Sequence, residues 1–192
     1  MSGGFIVLDI ETDGYGTFRP PVHRPVEVAW VVCDAKGVVL KRCSRFVSGV
    51  EQINPKAQEI HGYSADYINA HGVPLEEVLR ELDTDARGAQ RLIGHNIAFD
   101  IGCLCNQDRL LNLRGVNQYS LIPFLRALPL FCTMLHGTDM CRLPSRHWSG
   151  GFKWPKLCEL AEHAGVVLDP ERLHGAMYDV EVTLDCYRKL FL

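Results

Sequence analysis

The sequence predicts an α/β domain in which helices flank a mixed five-stranded sheet. Three observations predict it. Phe5-Ile6-Val7-Leu8 is a strongly apolar, partly β-branched run and reads as a buried central strand. Two further apolar runs follow before residue 48, joined by the turn Asp34-Ala35-Lys36-Gly37, as an antiparallel meander requires. Beyond residue 54, stretches of helical periodicity alternate with short strand-like runs, the texture of helices packed on a sheet. The whole chain, 1–192, reads as one domain with no internal repeat, low-complexity tract or linker.

The first strand ends in Asp9-Ile10-Glu11-Thr12, and a Gly- and Pro-rich loop carries the chain to residue 25. Residues 26–33 and 38–47 form the second and third strands. Glu27, an acid inside the second strand, reads as an edge or solvent-facing position. Asn54-Pro55 opens a short helix that stops near His61-Gly62, because Asn caps and Pro suits the first helical turn. Residues 64–70 suit a second short helix. Leu75, Val78, Leu79 and Leu82 give the next helix, 74–86, its apolar stripe, with the acids between them on a solvated face. A buried strand at 91–96 leads into a helix over 97–113, with Asp100 in its first turn, where the helix dipole favours an acid. A helix at 121–128 and a strand at 129–134 follow, then an irregular loop at 137–152. The last two helices span 156–164, closed by Gly165, and about 175–190, with Val180, Leu184, Tyr187 and Phe191 on the apolar face.

A net charge of −3 argues against a protein that coats nucleic acid through a basic surface. It leaves room for an enzyme that meets phosphate through metal ions. No apolar run approaches the ~20 residues of a membrane span. The opening residues carry no basic segment, and the eight cysteines include no Cys-x-x-Cys pair, so the expectation is an intracellular protein, cytoplasmic or nuclear, with reduced thiols. Cys132, His136, Cys141 and His147 could ligate zinc, but their spacing matches no finger pattern, and buried or free thiols are the expectation.

Asp9 and Glu11 lie two apart on a strand and therefore share one side of the sheet. Two like charges beside a core are costly unless a cation neutralises them, and hard divalent cations prefer carboxylate oxygen. The plainer alternative is a solvated strand end. His174 and Asp179, five residues apart at the start of the last helix, can face one pocket. Together with Asp100 these acids come from three distant segments. If they converge, they can hold two divalent cations, and His174 can take a proton near neutral pH.

Three segments in order, Leu8-Asp9-Ile10-Glu11-Thr12, Gly94-His95-Asn96-Ile97-Ala98-Phe99-Asp100, and His174-x-Ala176-x-x-Asp179 with Thr183 beyond, resemble the motifs of the DEDDh (DnaQ-like) 3′–5′ exonuclease family. The resemblance implies a ribonuclease H-like fold and hydrolysis of the terminal phosphodiester of single-stranded DNA or RNA to nucleoside 5′-monophosphates. It implies that Asp9, Glu11 and Asp179 ligate one cation, that Asp9 bridges to a second, and that Asp100 acts there through water. His174 is then the general base and Thr12 lies near the terminal nucleotide. His61-Gly62-Tyr63 would close over the terminal base, and Asn96 and Phe99 would line the same pocket. Magnesium is the implied ion, with manganese able to substitute. The implied partners are single-stranded 3′ ends, with a homodimer or docking to a replication, repair or RNA-processing partner. The chain departs from the family at Cys132-Thr133, where Asp-Thr is frequent, and residues 137–152 have no counterpart. Lys153-Trp154-Pro155-Lys156-Leu157 resembles a stretch of some members. Arg142, Arg146, His147, Trp148 and Lys153 mix cations and aromatics as single-strand-binding surfaces do, or form an ordinary solvated loop. Two other readings stand beside the enzyme: a catalytically inactive nucleic-acid-binding module of the same fold, and a globular protein with coincidental acids.

Overall fold

In the computed structural model, which describes residues 3–14, 23–145 and 151–192, the strand bearing Asp9 and Glu11 is the middle of five. Strands β1 (Gly4–Thr12), β2 (Pro25–Cys33) and β3 (Val39–Phe46) form the antiparallel meander. Strands β4 (Ala89–Gly94) and β5 (Leu130–Cys132) add in parallel on the other side of β1. The order is β3-β2-β1-β4-β5, a mixed sheet as the sequence predicts.

Eight helices lie among the described residues: α1 (Pro55–His61), α2 (Ala65–His71), α3 (Leu75–Ala86), α4 (Ile97–Leu113), α5 (Pro123–Ala127), α6 (Thr133–Cys141), α7 (Leu157–His163) and α8 (Ala176–Leu190). The two-residue period of β1 divides them between the two faces of the sheet. Ile6, Leu8 and Ile10 pack with α3, α4 and α5 in one core layer; Phe5 and Val7 pack against α8 in the other. Asp9 and Glu11 continue the Phe5–Val7 row, so they emerge on the α8 face at the carboxyl end of the central strand. None of the described helices is long and apolar enough to cross a membrane.

Local chemistry sets the helix ends close to where the sequence places them. The Asn54 side chain accepts from the Lys56 amide at 3.0 Å, and Gly62 closes α1 at φ 79°, a conformation that suits a residue without a Cβ. Ser64 caps α2 through the Tyr67 amide.

Three expectations are corrected. Residues 133–141 are helical, where the sequence predicts the end of a strand, to 134, and the start of an irregular loop, from 137. Gly137 reads as a breaker, yet it serves packing, since a Cβ there would stand 2.6 Å from Leu160 Cδ1. Strand β5 is shorter than expected because α6 begins directly after Cys132, and helix α5 is confined to Pro123–Ala127. The acids of α3 are not a simple solvated face. Asp85 accepts from Trp30 Nε1 at 2.8 Å, and Glu81 pairs with Lys41 and Arg45. Asp83 is 4% exposed and accepts from the Phe124 and Leu125 amides at 2.8 and 2.9 Å, capping α5 from another helix. Asp83→Ala is expected to cost ~1–2 kcal/mol, the value of a lost cap with buried donors left unpaired. At roughly 2–4 °C per kcal/mol for a chain of this size, a thermal melt should show the drop.

Candidate active site

Asp9 and Glu11 occupy the carboxyl end of β1, and three elements bring further groups to them. Helix α8 lies on the same face and carries Asp179 in its first turn, where the sequence reading puts it in the second. The residue two before its start, His174, is turned into the left-handed region at φ 69°. Its amide donates to Asp179 Oδ1 at 3.4 Å. One ligand atom from each of Glu11, His174 and Asp179 lies within 4.8 Å of the others; among the described residues no other group of His, Cys, Asp and Glu gathers this way. Helix α4 approaches from the opposite face. Its Asp100 is buried, and Oδ1 accepts from the Ile10 amide between the two β1 carboxyls at 3.1 Å.

These carboxyls oppose one another's ionisation. Burial and then the Asp100, Glu11 and Asp179 charges hold Asp9 well above the usual carboxylate range. Glu11 is pushed up to about 9 by burial and then by Asp179, Glu27 and Asp100. Burial raises Asp100 to about 7 against its bond from Ile10, and raises Asp179 to about 6 against the pull of His174. The donor set is all oxygen and carries surplus negative charge, which fits hard divalent cations.

Glu27 belongs to this cluster and corrects the sequence reading. Strand β2 is interior, and Glu27 is 4% exposed and registered opposite Glu11. Its carboxylate accepts from Ser44 Oγ at 2.6 Å and from the Ala176 amide at 3.1 Å. An acid flanked by apolar residues on both sides was the available signal. Its meaning depends on the register of β2 against β1, which no local pattern fixes.

The other expected residues divide. His61, Gly62, Tyr63 and His174 line one cleft of about 420 Å³, together with Arg172, Met177 and Tyr178, which sequence reasoning missed. The Arg172 guanidinium lies over the Tyr178 ring at 4.4 Å. His61 stacks on Tyr63, ring centroids 5.5 Å apart, and its Nδ1 accepts from the Tyr63 amide. Burial first, then the neighbouring Glu27 carboxylate, push the Tyr63 hydroxyl up to about 12. Thr12, Asn96 and Phe99 are not in that cleft. Thr12 is buried and donates to the Gly14 carbonyl; Asn96 takes φ 69° before α4, with no side-chain bond to the helix; Phe99 packs on the core edge. Cys132, His136 and Cys141 do not gather as a ligand set; His136 stacks on Phe131 at 4.1 Å. His147, with Arg146 and Trp148, lies outside the described residues. Lys153 is paired with Glu159, and Arg142 caps α6. The eight cysteines are free thiols.

A mixed sheet with carboxyls from both faces meeting at the end of its central strand defines an α/β domain of the ribonuclease H-like class. A family model described as an exonuclease, of the RNase T type, matches residues 6–187, and the chain belongs to that family as a DnaQ-like 3′–5′ exonuclease domain. DNA polymerase III subunit epsilon of Pasteurella multocida is 26% identical over 184 residues, 95% of this chain and 66% of the relative, so the chain spans just under two thirds of it. Escherichia coli exonuclease I in complex with a dT13 oligonucleotide shares the fold, with TM-score 0.75 and 18% identity over 97% of this chain and 40% of that one. A zinc-bound form of the exonuclease I–single-stranded DNA complex matches with TM-score 0.74 and 19% identity over 98% and 40%.

Proposed function

We propose that the chain removes nucleotides one at a time from the 3′ end of single-stranded nucleic acid, DNA before RNA, releasing nucleoside 5′-monophosphates. The observation that carries this is the convergence of Glu11, Asp179 and His174 beside Asp9 and Asp100. The polymerase-subunit relative and the oligonucleotide-bound structural neighbour support DNA as the substrate.

Asp9, Glu11 and Asp179 would hold one divalent cation, and Asp9 and Asp100 a second, with magnesium the expected ion and manganese a substitute. When bound, the cations would neutralise phosphate charge and activate water for attack. His174 takes the proton of the attacking water on its imidazole. The water oxygen bonds to phosphorus and the bond to the 3′ oxygen breaks; the 3′ oxygen takes a proton from solvent, leaving a shortened strand with a 3′ hydroxyl and a free nucleoside 5′-monophosphate. Tyr63, stacked beside His61 and Tyr67, would form the wall of the cleft that takes the terminal base, and Arg172 offers a cation to the backbone. Docking to a replication partner, as the relative's name implies for that protein, is the expected assembly, with a homodimer as the alternative.

The test is digestion of matched 5′-labelled single-stranded DNA and RNA with Mg²⁺ or with EDTA. A ladder shrinking from the 3′ end on DNA, absent in EDTA, is the expected result. A ladder on RNA alone moves the substrate to RNA. Tight binding without a ladder on either would establish the inactive module instead.

A further inference from the structure

Helix α8 supplies Asp179 and follows directly on His174, yet its N-cap residue is Gly175, which has no side chain with which to cap. The missing acceptor comes from 149 residues away: Glu27 Oε2 takes the Ala176 amide, the first of the helix. The other oxygen is held by Ser44 Oγ of β3, so the carboxylate is fixed from both sides. A negative group at a helix N-terminus also suits the helix dipole. Just before that bond the chain makes a strained turn, with His174 left-handed at φ 69° and Gly175 extended at φ −106°. The Tyr63 hydroxyl closes the arrangement, since a Cβ built on Gly175 would lie 3.7 Å from it. Glu27 thus stands where the His61–Tyr63 segment, the His174 turn and the sheet meet.

We propose that Glu27 is a positioning residue for His174: its buried carboxylate pins the Ala176 amide and thereby sets the turn that aims the imidazole at the carboxyl cluster. The proposal rests on the exonuclease reading for its kinetic consequence and on the hydrogen-bond geometry for its structural one. What matters is an acceptor at the right reach, not the charge. Glutamine keeps an oxygen for Ala176 and offers its NH₂ group to Ser44 Oγ. Aspartate keeps the charge and falls a methylene short.

Glu27→Gln, Glu27→Asp and Glu27→Ala are compared with wild type on a labelled single-stranded DNA. Expected are Glu27→Gln within ~3-fold of wild-type kcat, and Glu27→Asp and Glu27→Ala down ~10–100-fold with KM nearly unchanged, the loss of an interaction used only in turnover. In a His174→Ala background, Glu27→Ala should remove little more, because the two act as one unit. Amide exchange of residues 172–178 should quicken in Glu27→Ala and Glu27→Asp and stay at the wild-type rate in Glu27→Gln. Full activity in Glu27→Ala, a Glu27→Gln as impaired as Glu27→Ala, or an undiminished Glu27→Ala effect without His174 would each overturn the positioning role. An inactive wild type would sink the exonuclease reading alone, and amide exchange would still decide whether Glu27 holds the turn. If Glu27→Ala does not fold, the Gln–Asp pair makes the same distinction.

Discussion

Asparagine in place of Asp9 should reduce mononucleotide release to the assay background and, at the same time, raise the melting temperature of the metal-free protein. The two effects have one cause. Asp9 faces the charges of Asp100, Glu11 and Asp179 across a short gap, and burial deepens the penalty. Removing one charge relieves the others, and it also removes a group that the cations need. The pH dependence has a definite sign. These acids bind protons more tightly folded than unfolded, so unfolding releases protons. Their contribution to stability is greatest near pH 4 and is lost as pH rises, through about 6 for Asp179, about 7 for Asp100 and about 9 for Glu11. His95, which burial depresses to about 4, acts in the opposite sense, and only as pH falls below its ordinary value. The difference between variant and wild type cancels that term. Melts in EDTA from pH 5 to 9 should therefore show Asp9→Asn gaining on wild type as pH rises, and Mg²⁺ raising the wild-type melting temperature more at pH 8.5 than at pH 5.5. Equal melting temperatures across the range would mean that the carboxyls do not repel one another as their placement implies.

Much of this site was readable because its parts are periodic or local. Asp9 and Glu11 needed only the two-residue alternation of a strand; Asp100 needed only the first turn of a helix, and Asp179 only its nearness to His174 at the start of the last one. Helix α4 spans 97–113 as the sequence predicts, while the strand before it, expected at 91–96, is Ala89–Gly94. What escaped shares one physical feature: the partner lies far away in the chain. Asp83 and Glu27 are both buried acids that cap a helix distant in the chain, Asp83 capping α5 and Glu27 capping α8. A window of neighbouring residues shows such an acid only as a polar interruption, and the surface is then the default reading. Helix α6 was hidden by the converse problem. Gly137 looks locally like a breaker, and only the closeness of Leu160 on α7 explains why a glycine is wanted inside a helix there. Arg172 lies before the third motif and Tyr178 fills one of its unspecified positions, so only the fold reveals that they line the cleft.

His174→Ala should cut kcat by ~10²–10⁴-fold, the range for a positioned general base, with KM and the Mg²⁺-induced rise in melting temperature largely kept. The imidazole is exposed, and its nitrogen shares the tight group with Glu11 and Asp179. All four carboxyls remain when it is removed, and they are the groups proposed to hold the cations. Its backbone, however, sits at φ 69°, where alanine is less comfortable than histidine, asparagine or glycine. A loss in His174→Ala alone could then reflect a shifted turn rather than a missing base. Glycine separates the two, because it relieves the backbone while also lacking the imidazole. His174→Gly should melt at or above wild type and still be as slow as His174→Ala, and added imidazole should restore part of its rate. A glycine variant that turns over at the wild-type rate would remove His174 from the chemistry and leave the residue as a feature of the turn.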